Sequence, residues 1–304
     1  MSALEIAAAL LVALVWGIQF VTSKYGVDVF PPLLFLTLRF ALVWLLLLPF
    51  AGRPSRREIG SAAVVSVFFG GLCFGLFFVG LHLGLAGLSS VIVQLMTPFT
   101  VLFAWLLLGD RPPFRVIIGV VVAFAGVALA LASPGESVPA VAVLLVMGGA
   151  ASQALGNVLI KRFGPFQPIR FMAWLSLFTV PQVGVASALF ETGQQTALRN
   201  ANVLAWLALG YGVLFGAVIG FGLWFWLIGR CSLARVAPFA LLSTVFAIGT
   251  GILFLHEKVS APLLAGASIC IAGVVLTQAG ANGDKTTAKA PVSTSSLLSG
   301  RGSD

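Results

Sequence analysis

The sequence predicts an all-α membrane protein: ten transmembrane helices arranged as two inverted five-helix repeats. Three observations carry that prediction: an extreme apolar composition, ten long apolar runs, and a gapless internal repeat. Sixty per cent of the residues are hydrophobic and 9% are charged, where soluble domains carry about 25% charged residues. With a mean hydropathy of +1.10, the chain has too few polar groups to clothe a globule in water, so lipid is its solvent. The net charge of +8 does not indicate nucleic acid. That function needs basic residues gathered on one folded face, and here they sit in short gaps between apolar runs.

A spanning helix needs about 20 mainly apolar residues. The runs that qualify cover 4–23, 33–50, 59–81, 88–108, 114–132, 140–160, 168–190, 202–228, 235–256 and 260–279. They are continuous, without the period-two alternation of barrel strands. The first begins almost at Met1, yet "MSALE" lacks the basic n-region of a signal peptide and the run exceeds an h-region of about 7–15 residues; it is expected to stay as a span. Short breaks such as "AGRPSRRE", "GDRPP", "SPGESVP" and "RFGPFQP" separate the others, because Pro and Gly stop helices. The weakest boundary is "HLGLAG", between the third and fourth runs. After Ala279 the chain turns to Ser, Thr, Gly and Ala with sparse charge, the composition of a disordered tail. The expected organisation is a first five-helix repeat over 4–132, a linker over 133–139, a second repeat over 140–279 and a tail over 280–304.

Orientation follows from where Lys and Arg fall. If the N-terminus is inside, thirteen basic residues lie in inner loops and the tail, three (Lys24, Arg199, Lys258) lie outside, and Arg39 sits inside a span. Both termini are therefore expected in the cytoplasm. A shift of 147 residues lays Gly75 on Gly222, Phe78 on Phe225, Thr97 on Thr244, Asp110-Arg111 on Glu257-Lys258, Gly119 on Gly266 and Gly126 on Gly273. A looser offset of 137 relates spans one and six through Lys24 and Lys161. Five spans per half is an odd number, so the halves enter the bilayer in opposite senses. In membrane proteins such inverted repeats mark carriers with a site between the halves.

These residues also carry a family likeness. "VWG" with an amide two residues later, "LRF" in span two, "GD" and "HE" closing spans four and nine, and "GxxxxxxG" in spans five and ten resemble the EamA family of the drug/metabolite transporter superfamily, over roughly 4–280. "AGLSSVIVQ", "GNVLIKR" and "GR…RVAPFALL" are similar to its O-acetylserine/cysteine exporter branch. The resemblance implies a ten-helix inner-membrane exporter of amino-acid-like metabolites that works by alternating access.

The polar groups at membrane depth are the candidate binding residues. Gln19, Gln94 and Arg39 fall in the outer halves of spans one, four and two; Gln153 and Asn157 fall in the inner half of span six. Amides donate and accept, so they suit both ends of a zwitterion. They equally serve as glue between helices, at about 0.6 kcal/mol each. Trp16 lies one turn from Gln19, as a cavity wall or plain packing. Arg39 is the only charge well inside a span; it either binds a substrate carboxylate or bonds backbone carbonyls and snorkels outward. His82, near the outer end of span three, is a further candidate, and otherwise a polar helix end. Trp224 and Trp226 are expected in the interfacial aromatic belt beside Arg230. The glycines at 212, 216 and 220 are expected to let helices approach closely.

No catalytic residue is assigned. The sequence has no nucleophile elbow, no P-loop and no metal-ligand spacing; the scattered Cys73, Cys231 and Cys270 form no framework. No cofactor is expected. The partners are a small-molecule substrate and the bilayer. Exporters of aromatic amino acids, drugs or other metabolites of the same superfamily are the alternative. No membrane-depth carboxylate is available for a proton relay, so coupling is expected through His82, the substrate's own protons, or exchange.

Overall fold

The computed structural model describes residues 1–132, 138–164, 167–231 and 233–287. Every predicted span is a helix. α1 (Ala3–Val29) opens on a capping box, with the Ser2 hydroxyl accepting the Glu5 N–H and the Glu5 carboxylate accepting the Ser2 N–H. Two of the orphan donors at the helix start are thereby satisfied. α1 stops at Phe30 before two prolines, and Pro32 starts α2 (Pro32–Leu47), whose end tightens into a 3-10 turn at Leu48–Phe50. Ser55 and Glu58 build a second capping box for α3 (Arg56–Leu83).

Only Gly84 and Leu85 separate α3 from α4 (Ala86–Leu108). α4 is interrupted at Gln94 and Leu95. Pro98 explains the break: it has no N–H to give the carbonyl of Gln94, and its ring crowds that carbonyl. α5 (Phe114–Leu131), α6 (Ala140–Phe163) and α7 (Pro168–Phe190) follow. A short helix, Gln194–Asn200, leads into α8 (203–230), then α9 (Leu233–Leu255) and α10 (Ala261–Thr287). Among the described residues nine helices are long and apolar enough to cross a bilayer, and α9 holds a shorter apolar stretch, Phe239–Leu255. α10 continues as helix to Thr287, beyond the boundary expected at 279, while the remaining tail and most of the 133–139 linker lie outside the described residues.

Packing follows the repeat. α1 packs on α9 as α6 packs on α4, and α3 packs on α6 as α8 packs on α1. α2 pairs with α7 and α5 with α10, each with its own counterpart. The α5–α10 seam is built from the repeated glycines. A Cβ on Gly119, Gly126, Gly266 or Gly273 would collide with backbone of the opposite helix, so the two helices approach as closely as small residues permit. The two main cores lie at the seams. One gathers Leu88, Ile92, Leu95, Cys270 and Val274; the other gathers Phe30, Phe35, Phe40, Phe78 and Leu175. Outward, Leu45, Val121, Leu144, Val185 and Leu253 are exposed, a surface that acyl chains cover and water would not tolerate.

Candidate functional site

Both repeats carry a stretch of π-helix, Ser66–Leu72 in α3 and Gly212–Ile219 in α8. The 147-residue offset superposes 66–72 on 213–219. Such wide turns displace carbonyls from the regular ladder and recur at functional sites. Here the displaced carbonyls take side-chain donors. Trp16 Nε1 donates to the Gly216 carbonyl at 3.2 Å, and Ser152 Oγ donates to the Phe68 carbonyl at 2.7 Å. Each bond ties the first or sixth helix to the π turn of the opposite half.

Beside these turns lies a cavity of about 640 Å³, within the usual range for small-molecule sites. Phe69 of α3 forms one wall. Asn157 and Ile160 of α6, Phe171 and Met172 of α7, and Phe221 and Trp224 of α8 form the others. Its mouth, at Lys161, Gly164 and Pro168, lies on the bundle face that also bears the N-terminus. Phe69, Met172 and Phe221 also bound a second, much smaller void of about 20 Å³, which reaches Arg39, Phe40 and Phe74. The three apolar side chains are thus a partition between cavity and guanidinium.

Arg39 is 5% exposed. With the Gln19 amide oxygen turned toward it, Nη1 and Nη2 donate at 3.0 and 2.7 Å. The guanidinium carbon also stands 5.6 Å from the Phe74 ring and 5.7 Å from the Phe78 ring, within cation–π range. Gly216 makes room for this pair, because a Cβ there would overlap the Gln19 amide. The glycines of α8 therefore do more than let helices close up: they receive polar side chains of α1. Trp16 packs on Phe221 and Trp224, directly behind the cavity wall.

The other predicted residues are spread further. Gln94 is buried at the break in α4 and donates to Thr244 Oγ1 at 2.6 Å, so it spans to α9 rather than lining the cavity described above. Asn157 lines the cavity, with Nδ2 directed at Met96 Sδ at 3.6 Å. Gln153 is half-buried, one turn earlier on α6. His82 sits at the far end of the bundle, its Nδ1 3.1 Å from Asp28 Oδ1, while Lys24 bonds both Asp28 and the His82 carbonyl. Trp226 stacks with Arg230 at 4.6 Å, as a belt residue would, but Trp224 is a cavity wall.

Two carboxylates that cap helices of the other half escape a reading of the sequence. Glu191 accepts the N–H groups of Leu33 and Leu34 at 2.7 and 3.1 Å, capping α2. Glu257 accepts those of Ala86 and Gly87 at 2.6 and 2.9 Å, capping α4. Both caps reach from the second half onto the first, on the face away from the cavity mouth, and helix N-termini favour such anions. His256, the only non-glycine residue with positive φ (54°) among those described, turns the chain so that Glu257 reaches α4. The "HE" at the end of span nine was the available signal. Its counterpart Asp110 instead pairs with Lys161 at 2.9 Å in an exposed bridge beside the mouth. Equivalent carboxylates thus occupy different positions in the two halves. Among the described residues no group of three or more His, Cys, Asp or Glu is placed to hold a metal ion.

The sequence pattern of the EamA-like transporter family matches residues 3–132 and again 140–278. This chain belongs to that family. It is a multi-pass membrane transporter rather than an enzyme. Its similar relatives include the "Probable amino-acid metabolite efflux pump" of Salmonella typhimurium, 29% identical over 88% of this chain and 92% of the relative. The "Uncharacterized transporter YvbV" of Bacillus subtilis is 31% identical over 90% of this chain and 92% of the relative. A protein of known crystal structure superposes over 95% of this chain and 100% of its own, with a TM-score of 0.63 at 15% identity. That likeness concerns the fold alone. In this EamA chain the family match is doubled, once on each side of residues 133–139.

Proposed function

We propose that the chain exports small amino-acid-like metabolites from the cytoplasm across the inner membrane by alternating access, with O-acetylserine and cysteine as the first candidates. The observation that carries the reading is the cavity, open on the face of the N-terminus and closed on the other by the Glu191 and Glu257 caps. The excess of Lys and Arg on the mouth side supports a cytoplasmic position for that face. On this reading the conformation is inward-open, ready to load. Asn157 offers the amide that contacts a polar headgroup, while Trp16, Gln19 and Gln94 hold the walls and the moving halves in register. Relatives named as amino-acid metabolite efflux pumps support the cargo class.

The lining favours a second shade of the same reading. Phe69, Phe171, Phe221 and Trp224 outnumber the polar groups of the cavity, and such surfaces retain ligands with an apolar portion. Aromatic or thioether amino acids therefore stand beside O-acetylserine and cysteine. Inside-out membrane vesicles, which present the cytoplasmic face outward, test both. Saturable uptake of one of these amino acids, competed by the others, is expected. Absence of saturable uptake across amino acids and their acetylated forms would remove the reading.

A further inference from the structure

We propose that Arg39 is the receptor for the substrate's carboxylate, so that the exporter selects molecules with a free carboxylate and moves them with that group on the guanidinium. The proposal rests on the export reading and names the chemistry it requires.

Charge is the first argument. Arg39 is buried in the middle of α2, and its partners are neutral: the Gln19 oxygen and the Phe74 and Phe78 rings. None of the ion pairs among the described residues involves it. The carboxylates Glu5, Asp28, Glu58, Asp110, Glu191 and Glu257 all stand at or near helix ends or in connections. A desolvated cation lacking an anionic partner is unfavourable, and intramembrane charges without partners mark substrate paths. An incoming carboxylate supplies the missing charge.

Geometry is the second. A guanidinium has five N–H donors in a fixed fork. Gln19 occupies its end, between Nη1 and Nη2. The side edge, Nε with its neighbouring Nη, remains suited to the paired oxygens of a carboxylate. Gly212 instead covers the face of the group: a Cβ there would lie 3.6 Å from Nε and 3.9 Å from the central carbon, above the plane and clear of that edge. The small void beside Arg39 shares Phe69, Met172 and Phe221 with the loading cavity. Rotation of those side chains joins the two spaces without breaking a polar contact of Arg39. A zwitterion is then held with its carboxylate on Arg39 and its ammonium, one carbon away, against the neighbouring aromatic faces, which attract cations.

The test compares free acids with their methyl esters on the purified full chain in lipid nanodiscs. The probes are L-methionine, L-phenylalanine, O-acetyl-L-serine and L-cysteine, each against its ester. The wild type is expected to prefer the acid at least about tenfold, the loss expected from one charge-assisted bond. Arg39→Gln is expected to erase the preference, bringing acid binding down to the level of the ester in the same variant. Arg39→Lys, which keeps charge without the fork, is expected to keep a reduced preference and serves if Arg39→Gln does not fold. Esters that bind the wild type as well as acids do, or an acid preference intact in a folded Arg39→Gln variant, would overturn the carboxylate role and leave the export reading standing. Binding of neither acids nor esters would overturn both.

Discussion

Replacing Glu257 with Gln is expected to loosen the closed face of the molecule. The carboxylate accepts two backbone N–H groups at the start of α4, at 2.6 and 2.9 Å. A glutamine keeps one accepting oxygen and presents an NH₂ to the second N–H. The loss is one hydrogen bond to a charged group, about 1.5–3 kcal/mol, plus the interaction with the helix N-terminus, about 0.3–1 kcal/mol. Together these shift the closed-to-open ratio by about 2–4 kcal/mol, or roughly 30- to 1,000-fold. The assay places a thiol one turn beneath the seal. Ser90 is buried and its hydroxyl bonds the Gly87 carbonyl at 2.6 Å, so Ser90→Cys is a mild change. A membrane-impermeant thiol reagent applied from the closed face reports each opening. In a Ser90→Cys background with Cys231 replaced, Glu257→Gln is expected to raise the labelling rate at least about thirtyfold, the lower end of that shift. An unchanged rate would refute the reasoning that the cap holds the face shut.

Three further outcomes follow from individual contacts. Gly216→Ala pushes a methyl into the Gln19 amide; overpacking of this kind costs about 1–3 kcal/mol, read as a lower thermal transition in detergent together with reduced transport. Gln94→Leu removes the bond to Thr244, worth about 0.6 kcal/mol on average between membrane helices, and is expected to lower efflux at normal membrane abundance. Thr244→Val should reproduce that effect, and the double variant should add nothing. Asp110→Asn breaks an exposed pair with Lys161, whose worth is about 0–1 kcal/mol; its thermal transition is expected to stay within a degree or two of the parent.

The spans were legible because apolar length is a one-dimensional property, and the repeat because the α5–α10 seam tolerates little but glycine at positions 119, 126, 266 and 273. Rotation about each helix axis was not legible. Hydrophobic periodicity is faint when one side of a helix meets protein and the other meets acyl chains, since both are apolar. That is why Gln94, placed at the right depth, turns out to bond α9, and why Trp224, placed at the right height for a belt, faces the cavity. The long reach of Glu191 and Glu257 was hidden for another reason: a helix cap supplied from more than 150 residues away leaves no local spacing. The π turns at Ser66–Leu72 and Gly212–Ile219 had only a compositional trace, "FFGGLCFG" and "LFGAVIGFG", which small residues alone could equally explain. The Arg39–Gln19 contact joins two candidates that the sequence had offered separately.

One measurement bears most directly on the account, which is that a site between oppositely threaded halves is reached from the cytoplasm in this state. With Cys231 replaced, Met172→Cys places a thiol in the partition between the loading cavity and Arg39. An impermeant thiol reagent is expected to label it in inside-out vesicles, to leave it unlabelled in right-side-out cells, and to be blocked by a transported amino acid. Labelling from the outer side alone, or equally from both sides, would contradict the account.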